Sequence, residues 1–521
     1  MRRFCSAFGA MAAAVLVASC GGTNTETSPV ATSTSHGTLV EDPPLRIASL
    51  DKATFQAQLA STASGQQLLQ LTGDPTCGVD FYYLKFYTLG AAPSETTISS
   101  GALMVPTGGS GCSGPRPIVL YAHGTQTDKT ANIADITNLS NTEGALIAAM
   151  FAAQGYIVVA PNYAGYDSST LGYHPFLNAS QQSGEMMDIL AAARAALPNT
   201  FASGTSDGGK LFVTGYSEGG YVAMATQRAL QAAGAKVTAA APMSGPYALE
   251  AFADAIFYGS VNIGSTVFAP LITTSYQHAY GNIYSATTDI YTSTFATGID
   301  TLLPSATPIN TLFQEGKLPA TALFDSTTPV IPGQTALTQA LAIPTNPVFA
   351  VGFGEPNLVT NTFRVAYVLD AVGNPDGALP VPSAGVHLAA TAPTLPLRKA
   401  LYENDMRNGA WAPEEPTLLC GGDQDPTVFF SVNTQTMQAF WAGVLPPQAL
   451  TVLDVGGTPA PPFAQVQQGF QASQQALLQF YESTAGGGLS AAAAQQLLVE
   501  NYHTNVAPFC AAAARAFFSQ F

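Results

Sequence analysis

The pattern Gly-x-Ser-x-Gly occurs twice, as Gly204-Thr205-Ser206-Asp207-Gly208 and as Gly215-Tyr216-Ser217-Glu218-Gly219. A serine hydroxyl becomes a useful nucleophile when a sharp turn at the end of a buried strand holds it clear of the backbone, with glycines removing clashes and a helix starting at once. Only the second copy has that context. Lys210 to Thr214 is a short strand-like run before it, and Tyr221 to Leu230 is a helix-forming run after it. The first copy precedes the strand and is expected in a loop. Ser217 is therefore the expected nucleophile.

The hydroxyl needs a base, and the base needs a carboxylate to orient it. On a turn of this type the chain order is serine, acid, histidine. His36, His123 and His174 precede Ser217, and His278 and His387 precede any later strand that could carry the acid. Elimination leaves His503, unless the order rule fails here. Pro416 to Cys420 is strand-like and Gly421 to Pro426 is the turn after it, which makes Asp425 the expected acid, with Asp423 and Asp454 as alternatives. The oxyanion requires backbone donors. The Glu218 amide, at the start of the helix, is one candidate, and the Thr125 amide, in the turn Ala122-His123-Gly124-Thr125, is the other. No metal or organic cofactor is implied.

These residues must be positioned by a scaffold. The runs Ile118–Ala122, Tyr156–Ala160, Leu211–Val213 and Val237–Ala241 alternate with stretches of helical period, among them Met186, Ile189, Leu190, Ala193 and Leu197, which Pro198 ends. Strands alternating with helices imply an α/β fold with a largely parallel sheet. A helical stretch near Lys52 to Gln70 comes first, then an antiparallel pair, Asp80–Tyr87 with Thr96–Val105. After about Tyr247 the alternation stops, and roughly 170 residues pass before Thr417, too long for a loop. This aromatic-rich interval is expected to be an inserted cap over 247–400, most of its aromatics serving as its core. The sheet-bearing parts are then 46–246 and 401–521.

The amino terminus looks like an export signal, with Arg2 and Arg3 ahead of the apolar run Phe4–Val17. The segment Leu16-Val17-Ala18-Ser19-Cys20 resembles the bacterial lipoprotein signal, in which the cysteine becomes lipidated. Cleavage after residue 19 would leave 502 residues (521 − 19), and the Ser/Thr-rich stretch 20–45 is expected to be a flexible stalk. The body would then meet the membrane only through the Cys20 anchor, as an exported, outer-membrane-attached monomer. The alternative is an ordinary secretory signal with an incidental cysteine. In an oxidising compartment the remaining Cys77, Cys112, Cys420 and Cys510 tend to pair. Cys77–Cys112 and Cys420–Cys510 are expected because the fold brings those segments together, the alternative being free buried thiols.

Charged residues are only 10% of the chain, and 33 acidic against 17 basic residues give a net charge of −16. That balance repels phosphate backbones and excludes nucleic acid as a partner, while the sparsely charged surface suits neutral or apolar ligands.

Taken together, Gly215-Tyr216-Ser217-Glu218-Gly219-Gly220, His123-Gly124-Thr125, Pro161-Asn162-Tyr163-x-Gly165-Tyr166, His174-Pro175 and Gly422-x-x-Asp425 resemble the secretory lipase-like branch of the α/β-hydrolase superfamily. The resemblance covers most of residues 75 to 521. It implies an eight-stranded sheet, a helical cap between the sixth and seventh strands, and hydrolysis of hydrophobic esters, by analogy. Two features depart from the pattern. Asp425 and His503 are 78 residues apart (503 − 425), which suggests an inserted helical pair near Phe463–Tyr481 and Leu489–Val499. Glu218 also places a charge beside the nucleophile. The rival expectations are a peptidase on the same fold and a non-catalytic surface lipoprotein that binds hydrophobic ligands.

Overall fold

The computed structural model describes residues 35–138, 141–199, 204–378, 387–409 and 411–521; Cys20 and the segment around it lie outside them. Among these residues there are nine strands: β1 (Leu45–Leu50), β2 (Gly78–Leu89), β3 (Thr96–Thr107), β4 (Gly114–Ala122), β5 (Ile157–Pro161), β6 (Thr205–Tyr216), β7 (Ala239–Met243), β8 (Thr417–Gly421) and β9 (Leu450–Asp454). They form one sheet in the order β1-β2-β3-β5-β4-β6-β7-β8-β9. The first three strands run antiparallel to their neighbours, and β4 to β9 run parallel.

The sheet exceeds the expected eight strands by one, because Leu45–Leu50 adds an edge strand antiparallel to the first half of β2. Residues just before it continue along the same edge, with the Gly37 amide bonded to the Tyr87 carbonyl and the Val40 amide to that of Lys85. The end of the stretch expected as stalk thus lies on the body.

Alternation along the central strands feeds two cores. Leu120 and Val213 face one apolar cluster and Val119 and Phe212 the other, as a period of two requires. The first face holds the helices Ala179–Ala196 and Glu218–Ala232 and shares its cluster with the segment between β7 and β8. The second face holds the helices Thr142–Met150 and Tyr502–Phe518. The stretch expected as one helix near Lys52 is two, Lys52–Ala60 and Ala63–Thr72, because the Thr62 side chain caps a new start by accepting from the Gly65 amide.

Among the described residues, seven α-helices come between β7 and β8, from Leu249–Phe257 to Pro396–Asn404. Buried Arg364 has no hydrogen-bond partner for its terminal nitrogens and lies against the rings of Phe324 and Phe353, whereas two other buried arginines meet carboxyl groups. Arg398 is paired with Asp254 at 2.7 Å and Glu250 at 3.2 Å, and Arg407 with Asp376 at 2.7 Å and Asp405 at 2.8 Å. The helices Ala464–Glu482 and Ala491–Glu500 lie between β9 and His503. Disulfides join Cys77 to Cys112 and Cys420 to Cys510.

Candidate active site

β6 ends in a turn at Ser217, whose backbone sits at φ +62° and ψ −123° before the helix Glu218–Ala232 begins. A non-glycine residue in that region is strained and needs a surrounding that fixes it. The surroundings are tight. A Cβ on Gly219 would lie 1.9 Å from the Ala122 carbonyl oxygen, and one on Gly215 would lie 2.3 Å from that of Gly219, so only glycine fits either place.

The structure brings Ser217, Asp425 and His503 together from three separate parts of the chain. His503 Nε2 is 2.8 Å from Ser217 Oγ, and its Nδ1 is 2.5 Å from Asp425 Oδ2. Asp425 follows β8 in the turn and is buried; its Oδ1 accepts from the amides of Thr427 and Val428 at 2.9 and 3.0 Å. Those two donors fix the carboxylate and leave Oδ2 for the imidazole. The alternatives are used otherwise. Asp454 Oδ1 accepts from the amides of Asp423 and Gly456, and burial with the nearby Asp423 charge raises its pKa above the ordinary carboxylate value. Asp423 is exposed.

Tyr216, the residue before the nucleophile, donates its hydroxyl to the main-chain oxygen of His503, and the two rings are 4.9 Å apart. Burial, followed by the Asp425 charge, keeps that phenol protonated well above its ordinary range, so it stays a donor. Sequence reasoning missed this role; adjacency to Ser217 was the only signal.

Thr125 and Glu218 line the same cavity as Ser217. The Glu218 amide belongs to the first turn of a helix, where N–H groups have no partner within the helix. In the other arm the Gly124 amide is committed to Glu143 at 3.0 Å, leaving Thr125 as the next donor along the loop. The Glu218 side chain, singled out as a charge beside the nucleophile, is turned into the protein: His174 Nε2 and Gln182 Nε2 each lie 2.7 Å from its Oε1.

The other histidines fall elsewhere. His123 packs on Tyr163 with ring centroids 4.1 Å apart, and its Nδ1 lies 2.7 Å from the Gly124 carbonyl oxygen. His36 contacts Asp188 at 2.6 Å, and His278 stacks on Tyr173. His387 offers its main-chain oxygen to Arg407. The first Gly-x-Ser-x-Gly copy is not in a loop. It opens β6, where Thr205, Ser206 and Asp207 pair with Gly114, Pro115 and Arg116, at the opposite end of the strand from Ser217.

A cavity of about 120 Å³ lies between Ser217 and the β7–β8 insertion. Its wall is almost wholly apolar, with Phe176, Leu249, Phe252, Ile256, Phe268 and Phe363 contributing.

Residues 144–260 match the prolyl oligopeptidase family of peptidases; that span includes Ser217 and ends before Asp425 and His503. No protein of curated function matches the sequence. Among solved structures, the rice cell wall degrading esterase LipA from Xanthomonas oryzae is 26% identical, covering 81% of this chain and 91% of its own with a TM-score of 0.61. A Legionella pneumophila protein described as a hydrolase is 17% identical, with coverages of 92% and 97% and a TM-score of 0.59. The chain is a member of the α/β-hydrolase superfamily. This α/β-hydrolase shares with its structural neighbours a mostly parallel sheet flanked by helices, and the chain is a hydrolase of that fold.

Proposed function

We propose that this α/β-hydrolase cleaves carboxylic esters of apolar acids through an acyl-enzyme on Ser217. The supporting observation is the apolar cavity that begins at the Ser217 hydroxyl, where that hydroxyl is already 2.8 Å from His503 Nε2. His503 accepts the Ser217 proton as Oγ bonds to the ester carbon, and the carbonyl oxygen, now negative, lies against the amides of Thr125 and Glu218. Collapse breaks the carbon–alkoxy bond, and His503 returns the proton to the departing alcohol. Water then attacks the acyl-enzyme by the same route, giving its proton to His503 and releasing the carboxylic acid with Ser217 restored. Asp425 orients the imidazole and stabilises its charged form throughout.

The wall offers an acyl chain apolar contact worth roughly 0.8 kcal/mol per buried methylene, so specificity should rise with chain length until the cavity is filled. Ser217→Ala should lower turnover of a nitrophenyl ester on the order of 10⁴-fold or more. Wild-type turnover in that variant would remove Ser217 from the chemistry. The match to a peptidase family supports a second reading, amide hydrolysis. Amide and ester substrates with the same acyl group separate the two, and faster amide cleavage would favour the peptidase.

We also propose that the protein is exported and attached to the outer membrane through lipidated Cys20, acting as a monomer. The two disulfides suit an oxidising compartment, and among the described residues no helix is long and apolar enough to cross a membrane.

A further inference from the structure

His174 and Glu218 form a buried pair that the acyl-transfer steps do not use. Both are sealed from solvent, at 1% and 2% exposure, as is Gln182. His174 Nδ1 faces the Ala164 carbonyl oxygen at 2.9 Å and so carries a proton, and Nε2 shares a further proton with Glu218 Oε1, to which Gln182 also donates. Placing such groups out of water is costly unless they are matched; here Glu218 Oε2 and the Gln182 side-chain oxygen have no hydrogen-bond partner, and the contacts that are made lead to both arms of the oxyanion site. One arm is direct: Glu218 carries the helix amide next to Ser217, and its side chain is the anchor that fixes that residue. The other runs through two tyrosines. The His174 ring packs on Tyr163 and Tyr166, with centroids 5.5 and 4.8 Å away. Tyr163 donates to the His123 carbonyl oxygen at 3.0 Å and Tyr166 to that of Gln126 at 2.6 Å, on either side of Gly124 and Thr125.

From this convergence we infer that His174, with the Glu218 side chain, is a positioning device for the oxyanion site, setting the Glu218 and Thr125 amides relative to each other. The inference rests on the acyl-transfer reading of Ser217. Preorganised donors act at the transition state and little on the bound substrate, so the device should be visible in kcat and not in KM.

The test compares His174→Ala, Glu218→Ala, Glu218→Gln and Tyr166→Phe on a nitrophenyl ester, together with the affinity of a trifluoromethyl ketone, which forms a tetrahedral oxyanion on the serine. The alanine variants should lose on the order of 10²-fold in kcat with KM changed by no more than about threefold. Ketone affinity should fall by the same factor as kcat/KM, and Glu218→Gln, which keeps the shape and a hydrogen-bonding head, should recover about a tenth of wild-type kcat or better. If the alanine variants do not fold, Glu218→Gln and Tyr166→Phe decide, each expected to lose about five- to tenfold in both kcat and ketone affinity. Unchanged kcat in the folded variants, or a loss of kcat with ketone affinity intact, would overturn the inference. Fluorophosphonate labelling of wild type and Ser217→Ala separates the two levels: an unlabelled wild type defeats the acyl-transfer reading itself, whereas a labelled wild type with indifferent variants defeats only the positioning role.

Discussion

The Cys420–Cys510 disulfide joins the strand that leads into the Asp425 turn to the helix that carries His503. Replacing both cysteines by alanine should therefore damage the site before it unfolds the protein. The bridge closes a 90-residue separation, and the chain-entropy relation assigns such a loop about 4.6 kcal/mol, against about 3.8 kcal/mol for the 35-residue separation of Cys77–Cys112. With an unfolding entropy near 2.1 cal/mol/K per residue over a body of roughly 490 residues, either loss is worth a fall of about 4–5 °C in Tm. The two bridges are nearly equal in that respect and differ in what they hold. Cys77 and Cys112 tie the start of β2 to the loop before β4, and neither segment carries a triad residue. Residual esterase activity and unfolding, followed in parallel on a temperature ramp, should coincide for Cys77→Ala/Cys112→Ala. For Cys420→Ala/Cys510→Ala, activity should be lost several degrees below the unfolding transition. If the second variant's activity curve simply followed its own melting curve, the argument that this bridge couples acid to base would be wrong.

Asp425→Asn should reduce kcat on the order of 10³–10⁴-fold, whereas Asp454→Asn should cost no more than a few-fold; nitrophenyl ester turnover of the purified variants distinguishes the two carboxylates. Tyr216→Phe removes the donor to the His503 main chain and should lower kcat up to about tenfold, the worth of one hydrogen bond, measured under saturating substrate. Ala253→Trp places an indole in the cavity and should depress activity on long-chain esters while sparing acetate and butyrate esters, read from a panel of graded acyl length. Glu250 is buried, and burial, joined by the Asp376 and Asp254 charges, outweighs the opposing pull of nearby Arg398 and pushes its pKa from 4.5 up to about 9. The folded state therefore holds a proton that the unfolded chain releases, and this group's contribution to stability is full below about pH 4.5 and is lost as pH rises towards 9. Glu250→Gln should accordingly show a gain in Tm over wild type that grows from pH 5 to pH 9, and a gain independent of pH would contradict that protonation.

Much of the site is visible in the sequence because its determinants are local. Ser217 announces itself through strand, turn and helix within about twenty residues, and Asp425 through a glycine-rich turn after an apolar strand. The acid could not be chosen cleanly from Asp423 and Asp454, since what separates them is which backbone amides each carboxylate meets. β1 escaped notice because its side chains are largely exposed, so Leu45–Leu50 shows no clean alternation and is recognised only through its partner. The first Gly-x-Ser-x-Gly copy suggests a loop by composition, yet pairing with Gly114–Arg116 draws it into β6. Glu218 looked anomalous because its partners, His174 and Gln182, lie on segments whose meeting depends on how the helices pack, which no local pattern encodes.

The long insertion leaves the sheet after β7 and returns at β8, and those two strands are hydrogen-bonded neighbours, Ala240 beside Thr417 and Met243 beside Cys420. Because the two strands run parallel, the chain leaves at the Met243 end of β7 and has to come back to the Thr417 end of β8, so the insertion makes a crossover as well as covering the cavity, and it shares its packing with the sheet's first face. A stretch put in its place would have to make the same crossover and the same packing, whereas the residues proposed for bond breaking come from the turns after β6 and β8 and from the last helix.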